Sequence, residues 1–108
     1  MAKKNDLMPG TLDLLILTTL KRAPMHGYGI ALRMEQISNG VFRVNPGSLL
    51  PALSRMERAG QLKGEWIATE NNRRAKYYTI TKHGRDALKS DKELWRTQFA
   101  AISRIMEA

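Results

Sequence analysis

The alternation of apolar and polar positions changes period several times along the chain, and each change predicts an element. From Leu12 to Leu20 nearly every position is apolar or Thr, the pattern of a helix buried on most of its faces. Pro9-Gly10 breaks the chain before it, Thr11 is a candidate N-cap with Asp13 in the first turn, and Lys21-Arg22 followed by Pro24 marks its end. His26-Gly27 opens a second helix reaching to about Ser38, with Tyr28, Ala31, Leu32 and Ile37 expected toward the core and Arg33, Glu35 and Gln36 toward solvent. Asn39-Gly40 stops it, and a short extended piece, Val41 to Val44, leads into Asn45-Pro46-Gly47-Ser48. A third helix starts there and ends at Gly60. Asn45 and Ser48 are both candidate caps, and Pro51 favours Ser48, because it would then fall in the first turn, where a missing N–H costs little.

Beyond Gly60 the period shortens. Gln61 to Thr69, with Leu62 and Trp66 among its apolar positions, and Lys76 to Thr81, rich in Tyr and Thr, read as two strands. The polar stretch Glu70-Asn71-Asn72-Arg73-Arg74-Ala75 between them makes a turn, so the pair is a β-hairpin with a basic tip. A last helix runs from about Lys82 to Met106, roughly 37 Å at the usual rise per residue. The order predicts a mainly α chain with a small β-hairpin, an α+β winged helix-turn-helix followed by a long C-terminal dimerisation helix. Residues 1–81 form the DNA-binding domain, with the wing at about 61–81, and residues 82–108 form the dimerisation helix.

Charge turns this fold into a functional expectation. The 108 residues carry 18 Lys and Arg against 10 Asp and Glu, a net +8 that attracts polyanions. Between Val41 and Arg85 there are nine basic and three acidic residues, so this stretch, which spans the third helix and the hairpin, carries +6 of the surplus. Projected as a helix, Leu53 and Met56 fall within roughly 40° of Leu49 and make a core stripe. Ser48, Pro51, Arg55 and Arg58 then point the other way, with Ser54 nearby. Arg offers a planar fork for guanine or phosphate, and Ser a hydroxyl for phosphates or base edges. Arg73, Arg74 and Lys76 crowd the wing within four positions, a repulsion that DNA phosphate or a narrow minor groove would relieve.

The last helix carries Leu88, Trp95, Phe99, Ile102 and Met106 on one heptad-like stripe, flanked by Leu94 and Ile105. A helix that outruns three short ones needs a partner for its far end, which predicts a homodimer and, with two reading helices, a two-fold palindromic operator. No catalytic constellation or phosphate loop stands out, and His26 and His83 are isolated, so no enzyme, metal or cofactor is expected. The absence of Cys excludes disulfides and suits a reducing cytoplasm. The stretch Met1 to Asp6 lacks the apolar core of a signal peptide, and Leu12 to Leu20 is too short to span a bilayer; a cytoplasmic protein with no membrane partner, gathered on the nucleoid by DNA, is the expectation.

The chain resembles the PadR family of bacterial transcriptional regulators, through Gly10 to Leu17, Met25 to Ile30, Gly47-Ser48-Leu49 with Pro51-Ala52-Leu53, Asn71 to Tyr78, and Thr81 with Gly84. The single final helix is similar to the compact branch of that family. The resemblance implies a winged-helix dimer that acts as a repressor. It also implies that Tyr28 and Tyr77 lie near DNA phosphates or brace the wing, and that a flat aromatic effector could stack on Trp95. Two departures stand out: Leu50 occupies a position usually held by Tyr, and Pro46 one that is commonly polar. Two other classes remain, a winged helix used for protein contact and a non-specific nucleic-acid binder. RNA recognition is disfavoured, because the aromatic residues sit mostly on strands or on an apolar stripe.

Overall fold

A computed structural model describes residues 11–108. The break at Pro9-Gly10, the Gly10 of the family-like segment and the stretch Met1 to Asp6 lie outside the described residues. The elements are α1 (Thr11–Leu20), β1 (Met25–His26), α2 (Gly27–Ile37), α3 (Pro46–Arg58), β2 (Leu62–Ala68), β3 (Arg74–Ile80) and α4 (Lys82–Glu107). The architecture is the expected winged helix with a C-terminal helix, with one addition. The hairpin is part of a three-stranded antiparallel sheet, ordered β1-β3-β2. The two residues of β1, Met25 opposite Tyr78 and His26 opposite Tyr77, were too few to show a period of their own.

Thr11 lies already inside α1, so it is a helical residue and not the cap. β1 explains the phase of α2. Pairing with β3 fixes the chain immediately before the helix, and His26 caps it by accepting the Gly29 N–H on Nδ1 at 2.9 Å. From that start Ile30 and Met34, one turn apart, point into the core. The expected inward set is corrected: Tyr28, Leu32 and Ile37 are exposed, and only Ala31 packs partly against the core.

α3 begins one turn earlier than Ser48. Asn45 is the cap, its Oδ1 accepting the Gly47 N–H at 2.6 Å, and Pro46 takes the first helical position, where its fixed φ is already helical. Pro51 is therefore inside the helix and not in its first turn. It leaves the Gly47 carbonyl without the usual i+4 donor, at a point where both residues are exposed. The helix closes on Gly60 at φ +80, where the Gly60 and Gln61 N–H groups return to the Glu57 and Met56 carbonyls.

The hairpin turn is shorter than the polar run suggested. The Thr69 N–H donates to the Arg73 carbonyl and Asn72 takes the left-handed conformation (φ 58), so Arg74 and Ala75 belong to β3. The core gathers Leu14, Ile16, Leu17 and Leu20 of α1, Ile30 and Met34 of α2, and Leu49, Leu53 and Met56 of α3. Leu62, Tyr78 and Ile80 of the sheet and Leu88 of α4 complete it. Thr81 fastens α4 to this core by accepting the Gly84 N–H at 3.0 Å and donating to the Gly60 carbonyl at 2.6 Å.

Gly84 is buried in that junction, and a methyl group there would strike the Gln61 carbonyl oxygen and Ile80. Gly84→Ala is expected to destabilise the fold by about 1–3 kcal/mol through overpacking against backbone. Urea unfolding followed by far-UV circular dichroism measures it; an unchanged midpoint would mean that α4 can shift at no cost.

Candidate nucleic-acid interface

The geometry of the site follows from the way α3 is seated. With Leu49, Ala52, Leu53 and Met56 buried, Ser48, Pro51, Ser54, Arg55 and Arg58 are all exposed on the outer side of the helix. They are the residues singled out from the sequence, and they share one surface. Pro51, Ser54 and Arg58 lie along its middle, with Leu50 and Glu57 on one flank and Ser48 and Arg55 on the other.

Each flank carries an ion pair to a neighbouring element. On the wing side, Lys76 Nζ donates to Glu57 Oε1 at 2.8 Å. On the α1 side, the Arg55 guanidinium grips the Asp13 carboxylate two-pronged, Nη1 to Oδ2 and Nη2 to Oδ1, both at 2.8 Å. Sequence reasoning missed both acidic partners. Asp13 looked like a dipole-favoured residue of α1 and Glu57 like routine surface, and no local pattern links a carboxylate to a cation 42 positions away.

Arg55 is accordingly outward but not free, and the Asp13 carboxylate, by hydrogen bond and then by charge, raises its pKa above the ordinary arginine value. Lys76 differs more from expectation. It is not part of a free cluster at the tip: it lies along β3, opposite Trp66, and reaches back to α3. Gly64 makes room for it, since a Cβ there would come within 2.5 Å of Lys76 Cε and 3.0 Å of Glu57 Oε2. Its ammonium also lies 6.0 Å from the Trp66 ring centre and 5.5 Å from that of Tyr78. Arg74 lies 5.6 Å over the same Trp66 ring. Arg73, at the turn, is exposed.

The wing and α3 enclose a groove of about 510 Å³, lined by His26, Tyr28, Leu50, Trp66, Lys76 and Tyr78 among others. Tyr28 is 76% exposed beside it. Tyr77, half-buried, meets the His26 ring edge-on at 5.3 Å, so it braces the wing against the start of α2. Trp66, which the sequence marked only as apolar, is exposed on the wing next to two cations. Registering the hairpin on a turn at 70–72 would have put it opposite Lys76.

On α4 the expected partner-facing stripe divides. Leu88 is corrected: it is 3% exposed within its own chain's core and has no surface to offer a second copy. Trp95 packs partly against that core and stacks on Phe99, ring centres 4.8 Å apart. Leu94 beside Trp95 is exposed, and beyond it so are Phe99, Ile102, Ile105 and Met106, the last two at 75% and 79%. A cavity of about 290 Å³ between α1 and α4 is lined by Leu14, Leu15, Thr18, Phe42 and Trp95 together with Lys92 and Arg96. One face of the Trp95 indole beside it is taken by Phe99.

Among the described residues no three His, Cys, Asp or Glu side chains gather as a metal site, and no helix is long and apolar enough to cross a membrane.

Residues 16–90 match the model of the Transcriptional regulator PadR-like family. The fold is similar to a transcriptional regulator from Clostridium thermocellum, with TM-score 0.81 and 26% identity, covering 88% of this chain and 92% of that one. A padr family transcriptional regulator from Eggerthella lenta superposes with TM-score 0.80 at 26% identity, covering 92% of this chain and 84% of that one. A PadR family transcription regulator from Clostridium difficile gives 0.75 at 27% identity over 90% of this chain and 99% of its own.

The hydrogen bond to Glu57 outweighs a partial loss of hydration and holds the Lys76 pKa above the ordinary 10.5. A raised lysine pKa means that the pair stabilises the fold fully below that ordinary value and is lost as pH climbs through the raised one. Lys76→Met should therefore lower the urea midpoint at neutral pH, and the gap from wild type should close at strongly alkaline pH. A gap that stays constant would assign the loss to packing on Trp66 instead.

Proposed function

Because the chain belongs to the PadR-like family of transcriptional regulators, we propose that it is a sequence-specific DNA-binding repressor that acts as a homodimer on a palindromic operator. One observation carries the reading. The stripe that seats α3 in the core leaves Ser48, Pro51, Ser54, Arg55 and Arg58 exposed together, beside a wing that Glu57 and Lys76 tie to the same helix. In this reading α3 enters the major groove and the wing rests on the adjacent backbone or minor groove, with Arg73 and Arg74 against phosphate. Leu50 and Trp66 would pack against sugars in the groove between them. DNA contacts lie before residue 82, and the pairing surface is the far half of α4, where Phe99, Ile102 and Met106 would meet their counterparts in a second copy.

Fluorescence anisotropy on the chain's own upstream DNA and on a scrambled duplex, at two salt concentrations, tests the DNA reading. A specific regulator prefers its site by about 10³-fold or more over a salt-sensitive background. Arg73→Ala should weaken binding to every duplex alike and flatten the log–log salt slope by about 0.9. Arg58→Ala should weaken the preferred duplex more than the scrambled one. Equal, salt-erased binding to preferred, scrambled and randomly selected duplexes would leave a non-specific binder.

The pairing surface is tested separately. Phe99→Asp puts a charge on the exposed stripe at a residue outside the core, at the cost of its stack on Trp95. It should convert a micromolar dimer to monomer by sedimentation, while the urea midpoint checks that the chain stays folded. A dimer of unchanged mass would move the interface off α4.

A further inference from the structure

The two ion pairs that flank α3 differ in a way that bears on DNA. Lys76 and Glu57 use a point charge, partly covered by Trp66 and Tyr78. Arg55 commits both terminal nitrogens of its fork to the two oxygens of Asp13. This is the same two-donor edge that an arginine offers to guanine or to a phosphate. Asp13 thus occupies Arg55 as a nucleic-acid acceptor would, on the surface that α3 presents outward.

The pair is also built to be broken. The Arg55 side chain is 56% exposed and that of Asp13 32%, so water screens their attraction and the bond adds little to the fold. Asp13 itself is favoured where it stands with or without its partner, in the first turn of α1. Handing Arg55 to DNA has a distinct cost: it leaves a carboxylate uncovered beside a polyanion. An ordinary phosphate merely replaces one anion with another and does not repay that cost. An acceptor that meets both prongs in the right place does.

We propose that Asp13 is a positioning residue that determines specificity: it keeps Arg55 from non-cognate DNA and releases it to an operator acceptor that matches the guanidinium fork. The proposal rests on the DNA-binding reading above and names the residue through which that reading discriminates.

The test compares wild type, Asp13→Asn, Arg55→Ala and the double variant on an unrelated duplex and on the duplex that wild type itself selects from a random pool. Asp13→Asn is expected to tighten the unrelated duplex about threefold to tenfold and to steepen its log–log salt slope by about 0.9, the signature of one more phosphate contact. The selected duplex should change less, so that the ratio between the two narrows. In the Arg55→Ala background, where the Asp13 carboxylate is already uncovered, the same substitution should give only the smaller gain of removing that charge, with no added phosphate contact in the salt slope, and Asp13→Glu should keep wild-type discrimination. Urea midpoints and far-UV circular dichroism establish that each variant is folded, and in the variants that keep Arg55 its Nε–H resonance reports whether the guanidinium is still held; Asp13→Ser serves if Asn does not fold. A gain and a slope change of the same size without Arg55 are a general charge effect and overturn the proposal, as does unchanged or weaker binding by Asp13→Asn. A wild type that binds no duplex defeats the DNA reading as a whole, whereas a DNA-binding wild type with an inert Asp13 defeats this inference alone.

Discussion

The rest of the molecule depends on how one helix is seated. Leu49, Ala52, Leu53 and Met56 of α3 are buried against α1, α2 and β2, and together they fix its rotation. Turning the helix to present another face would return several of these side chains to water, at about 1.5–3 kcal/mol each for the larger ones. Every other position on α3 is assigned by that choice. Leu50 and Glu57 look toward the wing, Ser48 and Arg55 toward α1, and Pro51, Ser54 and Arg58 away from the body.

The polar contacts of α3 do a different job from its core stripe. Lys76–Glu57 and Asp13–Arg55 are at the surface or close to it, where an ion pair contributes little to stability. What they set is orientation. One ties the wing to the helix at a fixed spacing, with Gly64 leaving the room, and the other decides what the Arg55 fork touches. The apolar stripe holds the helix, and the charged flanks determine how its outer face is offered.

α4 serves two ends in the same way. Its first turns are part of the core through Gly84, Thr81 and Leu88, and the junction is so close that no side chain fits at Gly84. Past Trp95 the same apolar spacing continues, but the chain no longer covers it, and Phe99, Ile102 and Met106 are left exposed. A single periodic stripe thereby closes the monomer at one end and offers a surface at the other. The sequence shows the period but not where along it the body of the protein stops, which is why Leu88 was grouped with residues that lie beyond the core.

The helices, the hairpin and the outer face of α3 were legible in the sequence because each is a local or periodic property. Leu49, Leu53 and Met56 recur at helical spacing, the polar run from Glu70 to Ala75 marks a turn between two strands though not its true length, and Arg58 and Ser54 follow as the opposite face of a known stripe. The cap of α3 was also local, but two rules competed, and Pro46 at the first helical position outweighed placing Pro51 in the first turn. Tertiary structure alone decided what depends on elements meeting across the fold. The phase of α2 came from pairing β1 with β3, which buried Ile30 and Met34 in place of Tyr28 and Leu32. The partners of Arg55 and Lys76 came from α1 and α3 being brought alongside, at separations of 42 and 19 residues that no periodicity encodes. Sequence pattern sets which face of an element is apolar; which neighbour covers that face, and which charge it meets at the edge, is settled only when the elements pack.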